Sequence, residues 1–438
     1  MIVSMVAAAL IAAGAVEVKV DWTAERGPVK PVNGVGQPPM NGGPVEFFMF
    51  HYLKEAGIPY SRLHDVGGML GQGMWVDIPN VFPDFDADEN DPKSYDFEFT
   101  DALLKGLSDK GVEPYYRLGV TIENFAYQGF SPRRIVPPKD FAKWARVCEH
   151  VIRHYTEGWA NGLRLKITYW EIWNEPELKK SMWRDDFASY IRFYGVVAPY
   201  LKSKFPHLKI GGYGSAGAGK AQYKDPYSEP RKFLTAAKKG GWPLDFFSFH
   251  SYYAPTSALV QVCFADRMLN EYGFTRDRTE RHFNEWLPYV DHANLGSAKQ
   301  AAGVARELVG LQNAPCDLAC IYDARCGLGN YSPLFNPMTL KPHKAYYAFT
   351  AFNELRKRGT AVAATSGDAS VGVAAARGAS GAAVMIANDS DEAKTLRFDF
   401  GGRKATSARI TDANRTNEKL QGAPAALPPH SFCVVLFD

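Results

Sequence analysis

The chain has 438 residues, of which 46% are hydrophobic and 22% charged, and its 50 Lys and Arg nearly balance its 47 Asp and Glu. This hydrophobic content excludes an intrinsically disordered chain, and a net charge of +3 over this length does not indicate a dedicated nucleic-acid binder. A chain of this length can bury a sizeable core and is typical of two or three domains.

An apolar leader opens the sequence. Residues 1–16 have the length of a signal-peptide hydrophobic region, and Ala13-Gly14-Ala15 supplies small residues of the kind that a signal peptidase cleaves. The leader lacks a basic n-region, so a misassigned start codon and an ordered N-terminal strand are the alternatives. No later window approaches the roughly 20 apolar residues of a membrane span. We expect a secreted or periplasmic protein with no stable membrane insertion after leader removal.

Short apolar runs bounded by turn residues alternate with amphipathic stretches of helical period over residues 31–356. The predicted strands are Val32–Val35, Tyr60–His64, Glu113–Leu118, Ile167–Trp173, Leu208–Gly212, Asp245–His250, Arg281–Glu285 and Leu318–Asp323. The predicted helices are Val45–Ala56, Phe99–Asp109, Phe141–Tyr155, Phe187–Lys204, Arg231–Lys239, Ala258–Tyr272, Lys299–Gln312 and His343–Arg356. Eight such units favour an α/β fold, a (β/α)8 TIM barrel, over an open doubly wound sheet.

The sequence changes character over residues 357–438. Short runs rich in Ala, Val and Gly alternate with turn residues there, which is typical of a C-terminal β-sandwich domain. The predicted strands are Val371–Ala376, Ala382–Ala387, Thr395–Phe400 and Phe432–Phe437. Residues 17–30 begin with alternating apolar and charged positions, so an N-terminal strand there is expected to join this sandwich.

Cysteine usage does not indicate a scaffold of disulfides or a zinc site. Cys316, Cys320 and Cys326 are close in sequence, but three thiols without neighbouring histidines are short of the usual four zinc ligands. We expect buried free thiols or one disulfide, and neither a metal nor a cofactor.

The most informative segment is Tyr169-Trp170-Glu171-Ile172-Trp173-Asn174-Glu175-Pro176-Glu177. Strand alternation places Trp170, Ile172 and Asn174 on one face, and Pro176 ends the strand, so Asn174 and Glu175 lie at its C-terminal end. Barrel enzymes build their active sites at that end. The run from His282 to Pro288 has the same layout, with Glu285 at the strand end. Two such glutamates suit a two-carboxylate glycosidase, whereas either alone would more often be a surface or salt-bridged residue.

The Trp-Asn-Glu-Pro run resembles the acid/base motif of the retaining glycosidase clan built on (β/α)8 barrels, and Asn284-Glu285-Trp286 resembles its nucleophile strand. Within that clan the sequence is most similar to glycoside hydrolase family 39, which includes β-xylosidases and α-L-iduronidases. Further similarities lie at Ser61–Asp65, Asp245–Tyr252 and Asn336–Pro342. The resemblance covers the barrel and also implies the C-terminal β-sandwich.

This resemblance implies roles for individual residues. Glu175 would be the acid/base and Glu285 the nucleophile, while Asn174 would bind the sugar 2-hydroxyl. The resemblance also implies substrate-binding roles for Arg62, His64, His250 and Tyr252. Trp286 and Asp323 are added as substrate-binding candidates because they lie at strand ends. Satisfied core histidines and a barrel-interior ion pair for Arg62 are the alternatives.

Several aromatic residues lie near the same rim by sequence position, where their rings could stack on sugars: Trp75, Trp173, Trp183, Tyr252, Tyr253 and Trp286. Core packing is the alternative for each of them.

One departure bears on the substrate. Iduronidases of the family place a lysine two residues after the histidine of the sixth strand, whereas Tyr252 stands there in this chain. This favours a neutral glycan, with β-xylosidase-like retaining hydrolysis by double displacement. Asp323 and Arg325 keep a uronide-directed enzyme open. An endo-acting polysaccharide hydrolase and a non-catalytic carbohydrate-binding barrel also remain alternatives.

A nucleotide site is the main competing interpretation. Gly212–Gly217 matches G-x-G-x-x-G after a strand, and Gly214–Lys220 matches G-x-x-x-x-G-K. Ala221 then stands where a magnesium-binding Ser or Thr is needed, and the following residues do not favour a helix. The expected partner is therefore an oligosaccharide, polysaccharide or glycoside substrate rather than a nucleotide or nucleic acid.

Overall fold

The computed structural model describes residues 14–40, 47–66, 76–122, 134–218, 225, 227–327 and 329–438. Most of the predicted leader, residues 1–13, and the rim aromatic Trp75 lie outside these ranges. In the part of the chain so described, no helix has the length and apolar character needed to cross a bilayer.

Eight parallel strands close into a barrel in the order of the sequence. They are β2 (Gly34–Gly36), β3 (Tyr60–Leu63), β4 (Glu113–Leu118), β5 (Tyr169–Ile172), β6 (Lys209–Ser215), β7 (Phe246–Ser251), β8 (Glu280–Trp286) and β9 (Leu318–Ile321). Each coincides with one of the eight apolar runs, and β2 closes the barrel by pairing with both β3 and β9. The TIM-barrel prediction is therefore confirmed.

Helices follow the strands around the outside of the barrel. They are α1 (Phe50–Glu55), α2 (Ile78–Val81), α3 (Glu98–Ser108), α4 (Phe141–Thr156), α5 (Phe187–Lys204), α6 (Glu229–Gly240), α7 (Pro255–Glu271), α8 (Ala298–Asn313) and α9 (Tyr346–Arg358). Local chemistry sets several of their ends. Asp140 accepts hydrogen bonds from the amides of Ala142 and Lys143 at the start of α4, and Gly57 takes a left-handed φ of 60° just after α1.

The second domain is one nine-stranded sheet. Its strands are β1 (Val16–Pro28), β12 (Thr360–Ser366), β13 (Val371–Gly378), β14 (Gly381–Asn388), β15 (Lys394–Asp399), β16 (Ser407–Thr411), β17 (Glu418–Leu420), β18 (Ala426–Leu427) and β19 (Ser431–Phe437). Apart from the parallel pairing of β1 with β15, the pairings are antiparallel. A two-stranded sheet of β10 (Phe335–Asn336) and β11 (Lys341–Pro342) precedes α9.

Alternation along these strands produces two apolar faces. Val18, Val384, Leu396 and Ile410 come from strands far apart in the sheet yet share one core cluster, so the sheet curls over itself. The opposite face belongs to the barrel core, where small residues such as Ala383 allow α8 and α9 to pack closely. The six cysteines are all free thiols, and five of them are buried.

Candidate active site

The backbone turns sharply where β5 ends, and this turn presents the first glutamate. Trp173 and Glu175 take left-handed φ values of 71° and 43°, and the amide of Glu175 donates to the carbonyl of Gly214 at the end of β6, at 2.9 Å. Glu285 is the second-last residue of β8. Both glutamates thus lie at the C-terminal rim of the barrel, as in other enzymes of this architecture.

The turn at Trp173 overturns the expectation that Trp170, Ile172 and Asn174 share a face. Trp170 and Ile172 belong to the core cluster, and the Trp170 ring stacks on Tyr116 with centroids 5.1 Å apart. Asn174 instead points into the barrel together with Glu171, because the left-handed residue between them resets the alternation. Glu171 is therefore a site residue that strand periodicity alone did not identify.

Arg62 on β3 links the inward-facing groups. Its Nε donates to Glu171 Oε2 at 2.7 Å, its Nη1 to Glu285 Oε1 at 2.6 Å and its Nη2 to Asn174 Oδ1 at 2.6 Å. The side chain is fully buried, and burial alone would lower its pKa; Glu171 and Glu285 outweigh burial and raise it. The guanidinium is therefore a permanent positive charge that orients the Asn174 amide and holds the Glu285 carboxylate.

Glu285 is almost fully enclosed by polar groups. Tyr252 donates its hydroxyl hydrogen to Glu285 Oε2 at 2.5 Å, while Arg62 holds the other oxygen. Burial raises the pKa of Glu285, an effect that His250 and Arg62 partly oppose. The two hydrogen bonds fix the orientation of the carboxylate, which is what a nucleophile at this position requires.

His250 on β7 lies between the two glutamates. Its Nδ1 lies 2.7 Å from Glu175 Oε1 and 3.4 Å from Glu285 Oε2. Burial lowers the pKa of His250 to about 4, so the ring is neutral at pH 7. A neutral ring can donate from Nδ1 to an ionised Glu175 or accept a hydrogen bond there from a protonated one. The Glu175 side chain is 13% exposed against 5% for Glu285. The two carboxylates thus occupy different environments, the condition for separate acid and nucleophile roles.

His64 approaches the same pocket from the end of β3. Its Nε2 lies 3.1 Å from Asn174 Nδ2 and 3.2 Å from Asp65 Oδ1. Burial, assisted by Arg117 and Arg62, lowers the pKa of His64 well below its usual value. The histidine is therefore neutral, and its contact with Asn174 is consistent with the site predicted from sequence.

Asp323 follows β9 and forms an ion pair. Arg325 Nε lies 3.0 Å from Asp323 Oδ2. Burial raises the pKa of Asp323 to about 7, against the opposing effect of Arg325, and it raises the pKa of Asp65 to about 6. Asp65 also accepts a hydrogen bond from the hydroxyl of Tyr322 at 3.0 Å. Asp323 after β9 and Asp65 after β3 are thus two buried acids with pKa values raised above the usual range.

Three of the aromatic residues predicted at the rim are buried instead. Trp173 and Trp183 are fully buried and pack edge to face, with centroids 4.9 Å apart. Trp286 is also fully buried, and its ring lies beside that of Phe283 at 6.5 Å. Its role in substrate binding therefore stays a prediction. Tyr253 is 46% exposed.

An unpredicted group of three tyrosines lines the pocket. The ring centroid of Tyr252 lies 5.3 Å from that of Tyr331 and 6.2 Å from that of Tyr322. The ring centroids of Tyr322 and Tyr331 are 5.7 Å apart. Tyr331 is 37% exposed, and the charges of Glu285 and Glu175 help to raise its pKa after burial. Tyr331 carries no local sequence signal, because it lies in the loop after β9 with no periodic pattern around it.

The glycines that suggested a nucleotide site have a structural explanation. A Cβ on Gly214 would lie 2.9 Å from Asn174 Oδ1 and 3.2 Å from Arg62 Nη2, and its φ is 66°. Glycine is therefore needed here because the strand end lies against Asn174. Residues 219–224, which complete the second motif, lie outside the described residues.

One cluster in the described residues has the spacing of a cation site, and it consists of His250 and the two glutamates that the sequence predicts to be catalytic. One ligand atom each of Glu175, His250 and Glu285 lie within 4.8 Å of one another. The His250 Nδ1 that faces both carboxyl groups shares a hydrogen with Glu175. A metal would have to displace that hydrogen and the bond that Tyr252 donates to Glu285, so the donor set as arranged fits proton transfer better than metal ligation.

Comparison with known proteins agrees with this geometry. The model of the family described as glycosyl hydrolases family 39 matches residues 54–300. The chain is 28% identical over 207 residues to a β-xylosidase from Caldicellulosiruptor saccharolyticus, a match that covers 45% of this chain and 37% of that protein. It is 27% identical over 188 residues to a β-xylosidase from Geobacillus stearothermophilus, covering 42% and 35%. The matches thus span little more than a third of these relatives.

Solved structures share the fold over nearly the whole chain. A glucosidase from Croceicoccus marinus superposes with a TM-score of 0.78 at 19% identity, covering 97% of this chain and 98% of that one. A monomeric β-xylosidase from Caulobacter crescentus gives a TM-score of 0.70 at 18% identity, covering 96% and 99%. At these identities the likeness concerns the fold. Since the family model spans more than half of the sequence, the chain belongs to family 39 of the glycosyl hydrolases.

Proposed function

We propose that the protein is a retaining glycoside hydrolase that cleaves a neutral, β-xyloside-like glycan. The observation that carries this proposal is the proximity of Glu175 and Glu285, which have carboxylate oxygens within 4.8 Å of each other. Carboxyl groups about 5 to 5.5 Å apart are typical of retaining enzymes, whereas inverting enzymes need about 6.5 to 9.5 Å to admit a water molecule. The names of the similar proteins, β-xylosidases and a glucosidase, support the substrate class.

The proposed reaction has two displacements. Glu285 attacks the anomeric carbon while Glu175 gives its proton to the departing glycosidic oxygen, which leaves a glycosyl ester on Glu285. Glu175, now ionised, takes a proton from water as the water oxygen attacks the anomeric carbon. The bond from that carbon to Glu285 breaks, and the product retains the configuration of the substrate. Asn174, held by Arg62 at 2.6 Å, is positioned to bind the sugar 2-hydroxyl, a contact that strengthens in the transition state.

The charge of the pocket supports a neutral sugar. Tyr252 occupies the position where iduronidases carry lysine, and its hydroxyl is already bonded to Glu285. Arg325, the other cation considered for a uronate, is paired with Asp323 at 3.0 Å. A uronide substrate is accordingly the second candidate, and it would require that pair to open.

The test uses aryl glycosides of xylose, glucose and uronic acids together with intact polysaccharides. We expect Glu285→Gln to abolish release of the aryl group and Glu175→Ala to lower kcat/KM roughly 10²–10⁴-fold. Glu418→Gln, a change at an exposed residue of the sheet domain, serves as the control. Proton NMR of the first product formed should show the anomer of the substrate. Unchanged rates in either active-site variant, or an inverted first product, would refute the mechanism.

We also propose that the protein acts outside the cytoplasm, since a hydrolase of external glycans needs access to them and residues 1–16 have signal-peptide character. Fractionation of cells producing the full chain should place it in the periplasm or medium with its N-terminus shortened. A full-length product confined to the cytoplasm would contradict this.

A further inference from the structure

The loop after β8 connects the proposed nucleophile to the sheet domain. Trp286 and Leu287 are fully buried behind Glu285, and Tyr289 takes a left-handed φ of 55°. The Tyr289 hydroxyl donates to Oδ2 of Asp389 at 2.7 Å. Asp389 directly follows β14 of the sheet domain, so a hydrogen bond between domains lies only four residues from Glu285.

The Tyr289 ring is closely confined. A Cβ on Gly303 of α8 would lie 2.6 Å from Tyr289 Cε2 and 3.3 Å from Pro288 Cγ. Lys299 Nζ lies 5.2 Å from the ring centroid. The glycine thus allows the loop to rest directly on the helix, and the ring has little space in which to move.

Asp389 depends on this hydrogen bond. Burial raises the pKa of Asp389, and the Tyr289 hydroxyl, His430 and Arg306 oppose that effect. Its second oxygen, Oδ1, has no hydrogen-bond partner among the described residues, and His430 Nδ1 lies 3.8 Å from it. The charge of Asp389 in turn helps burial to raise the pKa of Glu307, which is fully buried on the adjacent helix. Loss of the tyrosine hydroxyl would therefore leave a buried carboxylate poorly solvated and free to shift.

Movement of this loop would reach Glu285. Trp286 is held at its carbonyl by the amide of Tyr322 at 2.9 Å, and Glu285 makes short bonds to Arg62 and Tyr252. A small displacement of the loop lengthens those bonds, and misplacement of a reacting group by about 1 Å can cost roughly 10²-fold in rate.

We propose that the sheet domain positions the nucleophile through the hydrogen bond from Tyr289 to Asp389, which makes Tyr289 and Asp389 positioning residues. This rests on the proposed role of Glu285. It gives the second domain a part in catalysis beyond covering the apolar face of α8 and α9.

Tyr289→Phe removes only the hydroxyl. We expect kcat to fall roughly tenfold with KM changed about twofold or less, because the proposed effect is on alignment rather than on binding. Looser contact with Arg62 should raise the pKa of Glu285 further, so the acid limb of kcat/KM should move to higher pH. Tyr200→Phe is the matched control, since the Tyr200 hydroxyl also donates to a carboxylate, that of Glu149, on the outer helices. It should lose stability without changing either quantity.

Variants of Asp389 provide the second measurement. Asp389→Asn keeps an oxygen that accepts from Tyr289 and should retain nearly full kcat, whereas Asp389→Ala should lose as much as Tyr289→Phe. The double variant Tyr289→Phe/Asp389→Ala should be no slower than either single variant, because both remove one interaction. Fully additive losses would overturn the proposal.

Titration of Glu285 by carbon-13 NMR of the full chain gives a readout that needs no turnover. A higher pKa in Tyr289→Phe than in wild type and in Tyr200→Phe supports the proposal. Full kcat, an unmoved acid limb and an unchanged Glu285 pKa in Tyr289→Phe would overturn it. If wild type cleaved no glycoside, the proposed function would fail, and the NMR comparison would still decide whether the domain contact sets the state of Glu285.

Discussion

Arg62 holds three groups that must stay in register during the proposed reaction. One planar guanidinium donates to Glu171, Glu285 and Asn174 at 2.6 to 2.7 Å. Two buried carboxyl groups, those of Glu171 and Glu285, lie on either side of this guanidinium, and its fixed positive charge offsets the repulsion between them. The geometry depends on the forked shape of the guanidinium as well as on its charge.

Arg62→Lys tests that dependence. Lysine keeps the charge but is a point donor on a flexible stem, so it cannot satisfy three acceptors arranged around a plane. Losing one or two charge-assisted hydrogen bonds of about 1.5–3 kcal/mol each predicts a fall in kcat/KM of roughly 10²–10³-fold. The measurement is hydrolysis of the best aryl glycoside, with Arg397→Lys in an exposed ion pair to Glu17 as control. Equal rates for the two variants would show that charge alone is sufficient.

The sequence predicted the residues that lie at strand ends and failed where the backbone leaves regular alternation. Glu175 and Glu285 were identifiable because a proline or a strand end follows them, and the structure places both in one pocket. Glu171 was not identifiable, because the left-handed φ of Trp173 interrupts the alternation of inward-facing and outward-facing side chains. Trp173 was misplaced at the rim for the same reason: it packs outward in the core.

At the scale of elements, periodicity located the barrel strands because each is a short run that is buried throughout or in all but its first residue. The sheet domain was less accessible. The strand β12 was not predicted, because its alternation is weak: three of the seven residues in Thr-Ala-Val-Ala-Ala-Thr-Ser are alanine. The strand β16 was missed as well; only five residues long, it carries charged and polar positions. Their pairing with β13 and β19 supplies the stability that local propensity does not.

The contact of α8 with the sheet depends on small residues, and Gly372 on β13 tests it. A Cβ at Gly372 would lie 2.7 Å from both Arg306 Cδ and Val309 Cγ2. We expect Gly372→Ala to lower the free energy of unfolding by about 1–3 kcal/mol through overpacking. Gly367→Ala is the control, since its Cβ would meet only ordinary contacts at 3.6 Å. Denaturant unfolding measures both, and equal stability of the two variants would mean that the helix can shift at no cost.

At the scale of the whole molecule, several buried acids and histidines carry opposite pH dependences. Burial raises the pKa of Asp323 to about 7 and that of Asp65 to about 6. Between about pH 4 and these values, both residues bind more protons in the folded state than in the unfolded state. Burial lowers the pKa of His250 to about 4, so this residue binds fewer protons when folded. The acids make the fold less stable as pH rises through this window, and the histidine makes it more stable.

Comparing Asp323→Asn with wild type isolates the contribution of Asp323 to the pH dependence of stability. The folded pKa of Asp323, about 7, exceeds its ordinary value of 3.8, so wild type loses stability as pH rises from about 4 to 7 while asparagine does not titrate. The melting temperature of the variant minus that of wild type should therefore increase from about pH 4 to 7. Above pH 7 this difference should be constant. Removing this charge also removes its repulsion of Asp65 and Glu285, which likewise favours the variant as pH rises. Asp86→Asn, where the carboxylate is 76% exposed, is the surface control for the substitution itself. A variant that falls behind wild type as pH rises would show that the Arg325 ion pair outweighs the cost of burying the charge.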